Sequence, residues 1–211
     1  MAALISEILR EPAYSESPLG HSEPELTESK GAKRLDLVIF ARSESGKPLV
    51  TAELKLPWRA EGRTPYNTQL VSDAHAKASR AGALYFITWN VRRLVVWKTD
   101  DPGIELYRRV VYDREIPTSI LISEADLDRA DTKSALNQVV RELIQFLHAL
   151  FVGTSEPNFL PLDKLFIANL ESALYFPVEA VIHGIKKQLS DNHKFRRELE
   201  RWMREEQGWI V

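Results

Sequence analysis

The sequence predicts an α/β fold followed by an α-helical C-terminal region. Three observations lead there. Apolar runs of strand character at 35–40 and 49–56 are joined by a short polar loop. A stretch with helical spacing at 68–81 precedes two further strand-like runs at 83–90 and 94–97. Beyond residue 134, apolar residues recur at the i, i+3, i+4, i+7 spacing almost to the end of the chain.

Taken in order, residues 2–10 carry Leu4, Ile5, Ile8 and Leu9 as an apolar stripe, with Glu7 and Glu11 beside it. In the run at 35–40, Asp36 heads Leu37, Val38, Ile39 and Phe40 and reads as part of a buried strand. Residues 43–47 are polar with Gly46 and suit a hairpin loop. The run at 49–56 alternates: Val50, Ala52, Leu54 and Leu56 face one way, Thr51, Glu53 and Lys55 the other. Val71, Ala74, Ala78 and Ala81 give 68–81 its helical face, and Gly82 sits where such a helix stops. Residues 83–90 and 94–97 are aromatic and β-branched, with a short connection at 91–93. Residues 100–103 end that hairpin, 104–111 are expected to add an edge strand, and 113–123, with Pro117, read as a connector.

The helical part starts at 134 and stops at Gly153. Segments 162–175 and 178–189 are parted by Pro177, expected to break or kink the helix. Ser190 and Asp191 are expected to cap a last helix through about Glu206, with Phe195, Leu199, Trp202 and Met203 as its face. These helices bear apolar stripes without convergent titratable groups, which predicts a coupling role rather than a second catalytic domain. The division that follows is 1–118 and 119–211.

At 211 residues, 44% hydrophobic and 27% charged, the composition is that of an ordinary soluble globular chain, one good-sized domain or two small ones. No uninterrupted apolar run reaches the roughly 20 residues of a membrane span, and the N-terminus lacks a secretory pattern. With no cysteine, disulfides, thiolate catalysis and Cys-bound zinc are excluded. A cytoplasmic location without membrane attachment is expected. The absence of a Gly-rich phosphate loop excludes nucleotide-driven translocation by this chain.

The formal net charge of −2 is unevenly spread. Residues 1–29 hold one Arg against six Glu, while residues 30–100 hold thirteen Lys and Arg against six Asp and Glu. The basic excess lies on the segment bearing Asp36, Glu53 and Lys55, which points to a polyanionic partner. Lys30, Lys33 and Arg34 flank Asp36, Arg59 and Arg63 follow Lys55, and Arg92 and Arg93 sit on the connection; Lys33, Arg34, Arg59, Arg63, Arg92 and Arg93 are the candidate nucleic-acid contacts. Trp58, Tyr66 and Trp89 are candidates for stacking on bases, and His75 for a phosphate contact, although such aromatics more often pack a core.

Pairing the strands at 35–40 and 49–56 brings Asp36 near Glu53 and Lys55. Two carboxylates supply hard oxygen ligands for Mg²⁺, and a lysine two residues after one of them can orient or deprotonate water or neutralise charge on a phosphate. This trio resembles the PD-(D/E)xK nuclease superfamily, with Leu35 where the motif's name has Pro. Residues 83–97 look like the N-terminal nuclease domains of type I and single-chain restriction-modification enzymes.

That resemblance implies a restriction-endonuclease-like core, a mixed central sheet flanked by helices, hydrolysing DNA phosphodiester bonds with Mg²⁺, for which Mn²⁺ can substitute. It implies Asp36 and Glu53 as metal ligands and Lys55 as the catalytic lysine. The related motif Gln-xxx-Tyr matches at Gln69 but has Asp73 in the Tyr position. An acidic residue of the opening segment is implied to complete the metal shell: Glu7 first, with Glu11, Glu23 and Glu25 as alternatives. DNA is the implied partner, together with a methyltransferase or helicase domain or subunit beyond residue 211; a homodimer is also consistent with it. The alternative reading is a non-cleaving nucleic-acid-binding or scaffold module with the same fold.

Overall fold

The computed structural model describes residues 1–26, 35–44, 46–117, 121 and 123–207. Its centre is a six-stranded sheet in sequence order, formed by β1 (Leu19–Leu26), β2 (Leu35–Ala41), β3 (Pro48–Leu54), β4 (Tyr85–Trp89), β5 (Arg93–Lys98) and β6 (Val110–Glu115). All neighbours are antiparallel except β3 and β4, which run parallel because α2 (Thr68–Ala81) carries the chain back between them. The sheet is therefore mixed and flanked by helices, as the sequence predicts.

Alternation along the strands sorts side chains onto two faces. Leu37, Ile39, Val50, Ala52, Ile87 and Val96 enter one core with α1 (Ala2–Ile8) and α3 (Ala130–Val152). Phe86, Val95 and Trp97 enter another with Val71, Ala74 and Ala78 of α2. Glycine ends two helices where expected: Gly82 (φ 68°) closes α2 and Gly153 (φ 78°) closes α3 in the left-handed conformation. At the start of α2 the Asn67 side chain accepts from the Leu70 amide at 3.1 Å.

Several boundaries differ from the sequence reading. The edge strand spans 110–115 rather than 104–111, because Arg109 holds the preceding turn with hydrogen bonds to the Ile104 and Thr99 carbonyls, both 2.7 Å. Helix α3 begins at Ala130, ahead of 134, following a 3₁₀ turn capped by Ser123 and Asp126. Residues 162–175 and 178–189 form one helix, α4 (Leu162–Asp191), running through Pro177, whose missing donor does not end it. Joined in this way, α4 becomes long and apolar enough to cross a membrane by length and composition alone, which neither half reached in the sequence. The cap of α5 (His193–Glu205) is Asn192, accepting from the Phe195 amide at 3.0 Å, while Ser190 and Asp191 belong to α4.

The chain divides into compact units at Met1–Ser172 and Ala173–Val211. The first extends well past residue 118 because Val139, Val140, Leu143, Ile144 and Leu147 of α3 are buried in the same core as the sheet. The second consists of the remainder of α4 and α5, the latter laced by i,i+4 pairs such as Arg196–Glu200 at 2.9 Å.

Candidate active site

The β2–β3 register pairs Leu37 with Ala52 and Val38 with Thr51. One step further, Asp36 and Glu53 stand across from each other, on the α2 face of the sheet. Lys55 follows the end of β3. Its Nζ lies 3.8 Å from Asp36 Oδ2 and 3.7 Å from Glu53 Oε2. Asp36 Oδ2 also accepts the Leu54 amide at 2.8 Å, which fixes this carboxylate to the neighbouring strand. The period-two reading of 49–56 thus corresponds to real proximity of Glu53 and Lys55.

Glu53 is 3% exposed. Burial pushes its carboxyl above the usual range, opposed by a hydrogen bond from Lys77 and reinforced by the charge of Asp36. Lys77 reaches Glu53 Oε1 from α2, and both side chains are buried. A cleft of about 520 Å³ opens here, lined by the trio together with Glu61, Asp73 and Lys77. A wider depression of about 600 Å³ on α3 is bordered by solvated side chains such as Lys133 and Gln138, without a buried titratable group. The convergence of buried charge singles out the first.

Among the described residues no cluster of three or more His, Asp or Glu forms a ready metal cage. The donor set still fits a hard divalent cation. Asp36 and Glu53 present two carboxylates to an open cleft, and Mg²⁺ usually takes one or two such ligands and keeps several waters. Formal charges around the cleft also favour it: four carboxylates face two ammonium groups.

The other sequence candidates fall in different places. Gln69 is exposed and donates to Asp73 Oδ1 at 3.1 Å, so Asp73, in the position of the motif's Tyr, is what lines the cleft. Glu7 is exposed on α1, whose buried residues enter the core on the opposite face of the sheet, and does not line the cleft. Glu11 pairs with Arg141 at 2.8 Å and Glu23 with His21 at 3.3 Å. Glu25 lies on β1 between Pro24 and Leu26, which pair with Leu37 and Leu35, so its backbone stands opposite Asp36.

Arg59 and Arg63 are exposed on either side of the 3₁₀ turn Ala60–Gly62, whose Glu61 lines the cleft. This loop is held by its own geometry. A Cβ on Gly62 would lie 2.0 Å from the Leu56 carbonyl oxygen, so only glycine fits. Asn90 Nδ2 donates to the Gly62 and Arg63 carbonyls at 2.9 and 3.4 Å, while its Oδ1 accepts the Arg93 amide at 2.9 Å. Val91, between them, adopts φ 71°, an uncommon conformation for a β-branched residue.

Arg93 is a correction. It is the first residue of β5 rather than part of an exposed connection, and its guanidinium is buried against Asp113 at 3.1 Å, Glu171 at 3.4 Å and the Ala168 carbonyl. Burial, offset chiefly by Arg93, pushes the Asp113 carboxyl up. This guanidinium therefore anchors the first turns of α4 and is not presented to a phosphate. Arg92 is largely buried and pairs with Glu115 at 3.4 Å. Tyr66 and Trp89 are core residues, and His75 Nε2 lies 3.1 Å from the Thr99 carbonyl. Lys30, Lys33 and Arg34 lie outside the described residues.

Sequence reasoning missed Lys77, Asp73 and Glu61. A signal for the first existed: Lys77 interrupts the Ala74–Ala78 stretch of an otherwise apolar helix face.

The chain is similar in structure to the type IIG restriction endonuclease BpuSI, with a TM-score of 0.51 and 16% sequence identity over 92% of this chain. The chain spans 19% of the BpuSI length. At this identity the likeness shows the fold, which is restriction-endonuclease-like. No protein-family model matches the sequence, and no curated protein matches it.

Proposed function

We propose that the chain is a Mg²⁺-dependent endonuclease that hydrolyses DNA phosphodiester bonds. It would act in the cytoplasm as the nuclease part of a restriction-modification or related phage-defence system, in the manner of type I and single-chain enzymes. The observation that carries this reading is the convergence of Asp36, Glu53 and Lys55 on one cleft of a restriction-endonuclease-like sheet. Asp36 and Glu53 would hold the cation, for which Mn²⁺ would substitute. When bound, the ion supplies Lewis acidity at the phosphate and makes water a better nucleophile at neutral pH. Lys55 orients the attacking water or neutralises charge building on the phosphate oxygens, since its ammonium reaches both carboxylates from the open side of the cleft.

The exposed apolar side chains of the second compact unit, among them Val181 at 60% exposure and the half-exposed Trp202 of α5, belong in this reading to a contact with a methyltransferase or helicase domain or subunit. The test is incubation of the full chain with plasmid and with single-stranded DNA, with Mg²⁺, with Mn²⁺ and with chelator. Metal-dependent cutting of either substrate is expected; none with any divalent cation overturns the reading.

DNA contact through the loop that borders the cleft is expected to be salt-dependent. Each phosphate neutralised contributes about −0.9 to the slope of log affinity against log salt. Arg59→Ala combined with Arg63→Ala should therefore make the slope shallower by up to about 1.8. An unchanged slope would show that these exposed arginines do not meet the backbone.

A further inference from the structure

The two oxygens of Glu53 face different lysines. Oε2 looks toward the cleft, 3.7 Å from the Lys55 ammonium, on a side chain 30% exposed. Oε1 accepts from Lys77, which is 8% exposed and reaches it from α2. The nuclease reading uses Lys55 and leaves Lys77 without a task. A buried lysine is costly to desolvate, and a solvated one would provide the same formal charge, so its burial calls for an explanation.

Its setting supplies one. Lys77 projects from the face of α2 that also buries Leu70, Val71, Ala74 and Ala78. The small side chains at 74 and 78 leave room for the lysine stem. Helix α2 is capped at both ends, by Asn67 and by Gly82, and its Val71, Ala74 and Ala78 pack with Phe86, Val95 and Trp97 of the sheet, which fixes where the Lys77 backbone stands. On the strand side, the residue beside Glu53 is Thr88, whose hydroxyl oxygen already accepts from Trp97 Nε1 at 2.9 Å. Lys77 thus holds the inner oxygen of Glu53 from a packed helix, and the outer oxygen faces the Lys55 ammonium, which also lies 3.8 Å from Asp36 Oδ2.

We propose that Lys77 is a positioning residue that clamps Glu53 by its inner oxygen and so sets the geometry in which the outer oxygen takes a divalent cation. The inference rests on the nuclease reading and adds a division of labour to it. Lys55, the more open of the two, works on water and phosphate, while Lys77, buried, works through Glu53.

The sign of the effect discriminates. Removing a nearby positive charge from an ionised Glu53 would by itself tighten cation binding, so weaker binding that persists as pH is raised to keep Glu53 ionised reports lost positioning. The experiment titrates Mn²⁺ alone into the full chain, into Lys77→Met and Lys77→Gln, and into Glu53→Gln with and without Lys77→Met. Plasmid cleavage is followed in parallel. Removing a group that orients a metal ligand costs about 10–100-fold, and that is the expected drop in Mn²⁺ affinity and kcat for Lys77→Met, with the KM for DNA unchanged. Lys77→Gln, which keeps a donor, should lose less, and Lys77→Met should add nothing in the Glu53→Gln background. Should Lys77→Met not fold, Lys77→Gln alone and paired with Glu53→Gln carries the comparison. Unchanged or tighter Mn²⁺ binding in an active Lys77 variant overturns the proposal and leaves the nuclease reading standing. A wild-type chain that neither binds Mn²⁺ nor cuts DNA removes both, and Lys77 is then only an ion-pair partner.

Discussion

Lys55→Ala is expected to lower metal-dependent DNA cleavage by on the order of 10²–10³-fold, the loss typical when one preorganised group stabilising a transition state is removed. Of the three central residues it gives the cleanest test. Its side chain is partly solvated and its two carboxylate contacts are longer than 3.5 Å, so thermal stability should hardly change. Asp36 and Glu53 require isosteric replacements. Asp36 also accepts the Leu54 amide, and Glu53 is the buried partner of Lys77, so alanine would disturb β3 or the α2 contact as well as the chemistry. Asp36→Asn and Glu53→Gln retain hydrogen-bonding oxygens while removing the charge a cation requires. All three variants should keep the wild-type circular dichroism spectrum and lose cutting. Full activity in Glu53→Gln would place the reaction elsewhere on the molecule.

The largest effect on stability is expected at Arg93. Its guanidinium and the Asp113 carboxylate are 11% and 9% exposed, and removing one member of a buried pair costs about 3–5 kcal/mol because the other is left uncompensated. For a chain of this size that corresponds to roughly 10 °C or more in Tm. The loss should depend on pH with a definite sign. Asp113 already titrates above the ordinary value of 3.8, chiefly through burial, with Arg93 pulling it back down. Without Arg93 the folded-state value rises further. A carboxyl with a raised folded-state pKa favours the folded state in acid and costs stability as pH climbs through that value. The Tm deficit of Arg93→Ala should thus be small near pH 4 and grow toward pH 8. A deficit equal at both would show that Asp113 is not the group left exposed to the penalty.

What the sequence revealed and what it concealed follow the range of the interactions. Glu53 and Lys55 were readable because strand alternation is local, and Asp36 because a short polar loop fixes how two apolar runs pair. The stops at Gly82 and Gly153 were equally local. Arg93 was misplaced because an arginine beside a tight turn looks solvated, while the carboxylates that bury it come from 20 and 78 residues further on. Lys77 was overlooked because its partner lies 24 residues away on the sheet. Glu7 was misjudged because the stripe on residues 2–10 defines a buried face without saying which side of the sheet receives it. Of the break or kink expected at Pro177, the break does not occur, since its local cost does not end α4.

The bond pattern of Asn90 bears on what binding would cost. Surface loops that meet ligands are commonly the least ordered parts of a protein, and fixing them takes entropy out of the complex. Here a single amide side chain ties the carbonyls at 62 and 63 to the amide at 93, inside a hairpin whose strands are buried. The segment bearing Arg59 and Arg63 is therefore pre-organised: it would meet a phosphate backbone already shaped, with the ordering done when the chain folds. Loosening that clasp would slow no chemistry directly, yet it would transfer an entropic penalty from folding to every encounter with substrate.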